Sequence, residues 1–163
     1  MRARKSDAEE KQRALAFAER VGLLIESQGL PRMAGRVIGW LLICDPQHQS
    51  LVELAEVLQA SKASISTSTR SLEQLKIIER VTFPGDRRDY VRIIPNAWSK
   101  LLSRFEEESR IMRDLAEEGL AVLAGATPGR RERLTEMRDV YGFLLEMVPL
   151  LDEKWRQRQS KKK

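Results

Sequence analysis

The chain has 163 residues, 42% of them hydrophobic and 33% charged. That is enough apolar content for a buried core and too much for a disordered chain. The longest uninterrupted apolar stretch, residues 37–44, is far too short to span a bilayer. The basic start Met1-Arg-Ala-Arg-Lys5 leads into a charged helix rather than the apolar segment of a signal peptide. One cysteine and one histidine exclude an internal disulfide and a Cys/His zinc site within one chain. No metal or cofactor is expected, no membrane partner, and no enzyme; the expected location is cytoplasmic.

The charge is unevenly spread. Residues 154–163 carry six cations and no acid, and Arg2, Arg4 and Lys5 add three. Removing these nine from the net charge of +5 leaves −4 on residues 6–153. Within that body, residues 60–92 hold seven cations and four acids, a net of +3, so the rest stands at −7. A basic island in an acidic body points one face at a polyanion. The two basic ends either solubilise the chain or add non-specific phosphate contacts.

In chain order, Leu15, Ala18, Val21 and Ile25 recur at helical spacing and predict a first helix over residues 7–28. Gly29 closes it and Pro31 opens a second, over 31–44. The apolar stripe of that second helix is Met33, Val37, Trp40, Leu41 and Cys44, with Gly35 and Gly39 allowing another helix to approach closely. Cys44 ends the stripe and reads as a small buried hydrophobe rather than a redox switch. Residues 45–49 form a polar loop in which His48 is expected to be solvated. Ser50-Leu-Val-Glu53 is a capping box opening a third, short helix. After the break Gln59-Ala-Ser61, with Ser61 as N-cap, a fourth helix is predicted over 62–75.

Strand character follows over 77–83 and 90–94, joined by Pro84-Gly-Asp-Arg-Arg-Asp89, a hairpin with a charged tip. A long charged helix is predicted over 96–125. Thr127-Pro128 opens a last helix to about residue 159, with Pro149 expected to kink it.

Short helix, three-residue turn, helix and hairpin is the order of a winged helix-turn-helix, whose second helix enters the major groove. In the fourth helix Ile65, Leu72 and Leu75 mark the buried side, and Lys62, Ser64, Ser66, Thr67 and Arg70 fall mostly opposite. Seven of the eleven residues 61–71 carry hydroxyls, a density helix propensity does not favour. Short hydroxyls let a helix sit close to base edges and phosphates. DNA contact is therefore assigned to Ser61, Lys62, Ser64, Ser66, Thr67 and Arg70, and to Arg87 and Arg88 of the wing. An arginine at such a tip suits a narrow, negative minor groove, with Asp86 and Asp89 orienting its guanidinium.

Ser61-Lys-Ala-Ser-Ile-Ser-Thr-Ser-Thr-Arg-Ser-Leu-Glu73, Ile78-Glu-Arg-Val81 and Pro84-Gly-Asp-Arg-Arg-Asp-Tyr90 together resemble the MarR family of bacterial regulators. The leader Gly29-Leu-Pro-Arg-Met-Ala-Gly-Arg-Val-Ile-Gly-Trp40 is similar to the GbsR-like branch. The resemblance covers residues 29–94, and Asp86-x-Arg88 is its most specific part. It implies a homodimer built on the first and last helices, two winged domains reading half-sites of a pseudo-palindrome, repression, and release by a small molecule. The arginine usual near the middle of the recognition helix is here Thr67, and Arg70 stands one turn on.

The expected fold class is mainly α with a small β-hairpin wing, a winged helix-turn-helix with long N- and C-terminal dimerisation helices. The expected division is 1–30 for the N-terminal helix of the dimerisation region, 31–95 for the DNA-binding domain, 96–160 for the C-terminal dimerisation helices and 161–163 for a basic tail. Phe17, Trp40, Trp98 and Tyr141 are expected at an effector pocket; the GbsR-like resemblance implies choline or a related osmolyte there, and aromatic rings suit its quaternary ammonium. The expected partners are double-stranded DNA, a second copy of the chain and a small-molecule effector. The competing reading is a winged-helix module that docks a protein without specific DNA binding. Docking faces are more apolar and aromatic than this one.

Overall fold

The structure, a computed structural model, describes residues 2–161. Lys162 and Lys163 of the predicted basic tail lie outside the described residues, as do the side chains of residues 2–7 and of Leu101. The elements are α1 (Arg2–Ser27), α2 (Arg32–Leu41), β1 (Gln49–Ser50), α3 (Leu51–Val57), α4 (Lys62–Gln74), β2 (Ile78–Val81), β3 (Tyr90–Ile93), α5 (Lys100–Val122) and α6 (Pro128–Ser160). They form two compact units, Met1–Ala97 and Trp98–Lys163.

The first unit is the winged helix-turn-helix. Its core gathers Val37, Ile38 and Leu41 of α2, Leu54 and Leu58 around α3, Ile65 and Leu72 of α4, Ile78 of β2 and Val91 of β3. The Ser50 and Ser61 caps read from the sequence are present, whereas Thr127, read as the N-cap of the last helix, makes no side-chain cap bond. Ser50 Oγ accepts from Glu53 N at 3.2 Å while Glu53 Oε2 accepts from Ser50 N at 2.7 Å, and Ser61 Oγ accepts from Ser64 N at 3.1 Å. The turn between α3 and α4 closes with Ala60 N donating to Ala55 O at 2.9 Å across Gln59, whose φ is 50°. The same device ends α4, where Ile77 N donates to Leu72 O at 3.0 Å across Lys76 at φ 55°.

The sheet has three strands in the order β1-β3-β2, one more than the predicted hairpin. β2 and β3 pair antiparallel with Val81 opposite Tyr90, and β1 adds Ser50 opposite Tyr90 on the other edge. β1 spans two residues, too few for any alternation of apolar and polar side chains to betray it.

The first helix, read as part of a dimerisation region, packs on α2 within the winged unit. A Cβ on Gly35 would lie 2.7 Å from Gly22 Cα, and one on Gly39 2.7 Å from Ala18 Cα, so only glycine lets the two backbones meet this closely. Glu19 of α1 pairs with Arg32 and Arg36 of α2, and Arg36 Nη2 donates at 2.8 Å to Leu58 O at the end of α3. The glycine-rich leader is thus a packing seam.

The second unit pairs α5 with α6 through buried Ser109, Ala116, Leu120 and Val148. Arg131 Nη1 donates to Leu123 O at 2.8 Å, satisfying a free carbonyl at the end of α5. Trp155 Nε1 donates to Ser99 Oγ at 3.0 Å. α5 starts at Lys100, later than predicted, because Asn96 takes φ 59° in the preceding turn. Pro149 sits inside α6, which continues through it to Ser160. Among the described residues no helix is long and apolar enough to cross a membrane, and no cluster of His, Cys, Asp and Glu forms a metal site.

Candidate nucleic-acid interface

α4 turns one stripe inward and one outward. Ile65, Ser68, Thr69 and Leu72 are buried, while Ser61, Lys62, Thr67 and Arg70 are exposed and Ser64 and Ser66 half-buried. The hydroxyl-rich run therefore serves two purposes. Ser61 caps the helix, Thr69 donates to Ser66 O at 3.2 Å and Ser71 to Thr67 O at 3.2 Å. Ser64, Ser66 and Thr67 are left facing outward with Lys62 and Arg70. That Ser68 and Thr69 point inward was open to inference, because they fall one turn from Ile65 and one from Leu72.

The wing turn is built by Pro84 and Gly85. Asp86 N donates to Phe83 O at 3.1 Å, and Gly85 has φ 82°. Proline followed by glycine at positive φ is the signature of a type II turn. Asp86 then folds back on the chain, its Oδ1 accepting from Arg88 N at 2.9 Å. The Arg88 guanidinium lies along the same carboxylate, Nη2 donating to Oδ2 at 2.7 Å and Nε to Oδ2 at 3.0 Å. The Tyr90 hydroxyl donates to Oδ2 at 2.8 Å, and Arg88 Cζ stands 5.0 Å from the Tyr90 ring centroid. Arg88 Nη1 also meets Glu53 of the capping box at 3.5 Å. The arginine is half exposed and oriented from three sides.

The titrations follow from this geometry. Hydrogen bonds from the Arg88 side chain, then its backbone N–H, then Tyr90 hold the Asp86 carboxyl well below the usual carboxylate range. Glu53 is lowered chiefly by the Ser50 N–H it accepts, with Arg88 contributing. Asp86 supports Arg88, whereas Asp89 bonds Arg80 Nη1 at 3.1 Å and neither wing-tip arginine. His48, expected in solvent, is half-buried, with its ring 4.6 Å from Phe83 and 5.3 Å from Tyr90. Two aromatic rings of the wing offer it more contact than water does.

The acids of residues 60–92 are all spent on three of the seven cations. Glu73 and Asp89 hold Arg80, Glu79 holds Arg92 across the strand pair, and Asp86 holds Arg88. Among the described residues Lys62, Arg70, Lys76 and Arg87 have no ion-pair partner. The uncompensated positive charge thus stands on the outer face of α4, at its end and at the wing tip.

The aromatic residues expected at an effector pocket fall in both units. Trp40 lines an open groove of about 860 Å³ in the first unit together with Glu10, Lys11, Glu53 and Glu56, and Phe17 is not part of its wall. Tyr141 lines a cleft of about 410 Å³ in the second unit with Phe105, Met137 and Leu144. Trp98 is exposed in that unit.

Comparison with known proteins agrees with the winged fold. Residues 28–89 match the MarR family, and residues 96–158 match the MmpR5-like MarR family transcriptional regulators. The HTH-type transcriptional regulator MmpR5 of Mycobacterium tuberculosis is 45% identical over 139 residues, which cover 82% of this chain and 81% of that protein. A crystal structure of a transcriptional regulator is 42% identical, with a TM-score of 0.77 over 88% of this chain and 98% of that one. These are regulators of transcription and not enzymes. With its winged first unit and matches along both units, the chain belongs to the MarR family of winged-helix, DNA-binding transcriptional regulators.

Proposed function

We propose that the chain acts as a homodimeric repressor of a pseudo-palindromic operator, with α4 in the major groove and the wing arginines at the minor groove of each half-site. The observation that carries this reading is the placement of unpaired cations. Lys62, Arg70 and Arg87 lie on the outer stripe of α4 and at the wing tip, where a helix-turn-helix meets DNA, while the cations behind them are neutralised by neighbours. Ser64, Ser66 and Thr67 between them offer short donors and acceptors to base edges.

Dimerisation is supported by apolar faces left uncovered on α1, α5 and α6. Phe17 and Leu24 on α1, Ile111 and Leu115 on α5, and Val140 and Phe143 on α6 are all exposed, and scattered burial on one protomer leaves them without a partner. For the branch of the family we follow the MmpR5-like matches rather than the GbsR-like leader, whose glycines serve the α1–α2 seam. An effector remains part of the proposal. Trp40 beside Glu53 and Glu56 suits an organic cation, and Glu53 reaches Arg88 from the same groove.

The test is selection of duplexes from a random library with the purified protein, followed by the mass of the complex on the winning sequence. A two-fold symmetric site carrying two protomers is expected. No enriched sequence, or binding whose strength hardly changes with salt, would favour the protein-docking module instead.

A further inference from the structure

The Asp86–Arg88 pair is local. Both residues belong to the same wing loop, and every bond between them would survive if the loop swung as a whole. Two contacts tie the pair to the rest of the unit, the long 3.5 Å ion pair of Arg88 with Glu53 of α3 and one shorter bond to the sheet. Asp86 Oδ2 accepts from the Tyr90 hydroxyl at 2.8 Å, and Tyr90 is the first residue of β3, 6% exposed and registered against both Ser50 and Val81. Its ring packs edge-on in a three-ring cluster with Phe83 at 5.1 Å and His48 at 5.3 Å, which themselves stand 4.6 Å apart. A rigid aromatic lever thus reaches from the core to the carboxylate that grips the wing arginine.

We propose that Tyr90 is the positioning residue of the wing, its hydroxyl fixing Asp86 and, through Asp86, the orientation in which the Arg88 guanidinium meets DNA. His48 braces the ring from the loop before β1. The inference rests on the operator reading above and deepens it. It also accounts for the one histidine of the chain, which packs on the wing instead of facing solvent. Burial and its bond to Asp86 keep the Tyr90 hydroxyl protonated beyond its ordinary range, so the donor persists at any working pH.

A phenylalanine at this position keeps the ring and its neighbours and removes only the bond to Asp86. On a duplex selected by the wild-type protein, Y90F is expected to bind about five- to tenfold more weakly, the size of one hydrogen bond, with binding to a scrambled duplex unchanged. The deciding comparison is a double-mutant cycle with R88A. If Tyr90 acts through Arg88, Y90F costs nothing further once Arg88 is gone. Unchanged affinity in the single variant, or the same loss in both backgrounds, overturns the proposal.

A readout without DNA separates this proposal from the operator reading. The Arg88 Nε–Hε signal in the NMR spectrum of the free protein is expected to broaden in Y90F with the melting temperature retained. Should no duplex be selected, the operator reading falls, and an Arg88 signal unaltered in Y90F overturns the positioning role by itself. H48A, which leaves the hydroxyl in place, is the second variant. It is expected to weaken binding in the same Arg88-dependent way, and an effect independent of Arg88 counts against the brace.

Discussion

Arg80 Nε donates to Glu73 Oε1 at 2.6 Å, joining the strand that carries the wing to the last turn of the recognition helix. The other arm of the guanidinium holds Asp89 at 3.1 Å. One side chain therefore links α4, β2 and the far end of the wing loop, and neutralises two acids behind the cations proposed to face DNA. The partners are partly exposed, so removing Arg80 is expected to change stability by no more than about 1 kcal/mol. Its larger effect is electrostatic. R80A leaves two unpaired carboxylates behind the proposed DNA face, so DNA affinity should fall at low salt and the deficit should shrink as salt screens it. A deficit constant across the salt range would mean that Arg80 touches DNA itself.

Two residues two positions apart on α4 separate folding from recognition. Leu72 is fully buried in the core and Arg70 is exposed without a partner. L72A is expected to lower the unfolding free energy by about 2–5 kcal/mol in urea titrations, through lost burial and the cavity left behind. R70A should leave stability within about 0.5 kcal/mol and weaken DNA binding. If R70A unfolds the protein or binds DNA normally, the two stripes of the helix have been misassigned.

The α1–α2 seam makes a prediction of opposite character, in which adding one methyl group destabilises. A Cβ at Gly39 would stand 2.7 Å from the Ala18 backbone, which cannot move aside as a side-chain tip can. G39A should cost about 1–3 kcal/mol by overpacking, despite the better helix propensity of alanine. The melting temperature decides the sign.

The pH behaviour of the wing follows from its carboxylates. Asp86 and Glu53 are both lowered in the folded state, Asp86 mainly by the Arg88 side chain and Glu53 mainly by the Ser50 N–H. A depressed pKa contributes stability that is present above the unfolded value and lost as pH falls toward the folded one. The unfolded values are 3.8 and 4.5, so the contribution is complete at neutral pH and declines only below about pH 4.5. The ratio of wild-type to R88A affinity should accordingly stay flat between about pH 6 and 8. A marked slope in that window would show that a group other than these two acids governs the arginine.

Much of the architecture could be read locally. The capping box Ser50–Glu53, the Ser61 cap, the Pro84–Gly85 turn and the helical stripes are rules over three to seven residues, and each appears where its residues stand. What escaped was set by contacts distant in sequence or by symmetric chemistry. Glu53 and Arg88 lie 35 positions apart, and nothing local to a capping glutamate announces a second partner. His48 reads as polar, yet the return of the wing surrounds it with Phe83 and Tyr90. Asp86 and Asp89 look alike around the arginine pair, but the turn at Gly85 directs only Asp86 back onto Arg88. The Tyr90–Asp86 bond spans four residues and was within reach of a strand-register argument, had the two-residue β1 been recognisable.

The central claim is that the unpaired cations of α4 and the wing face the phosphates and bases of an operator. The most direct measurement is the salt dependence of binding to the DNA upstream of the protein's own gene, for the wild type and for K62A, R87A and R92A. Each phosphate contact removed should lower the slope of log affinity against log salt by about one. The account predicts that drop for Lys62 and Arg87 and an unchanged slope for Arg92, whose charge is already held by Glu79. Equal slopes for all four proteins, or a loss confined to Arg92, would contradict it.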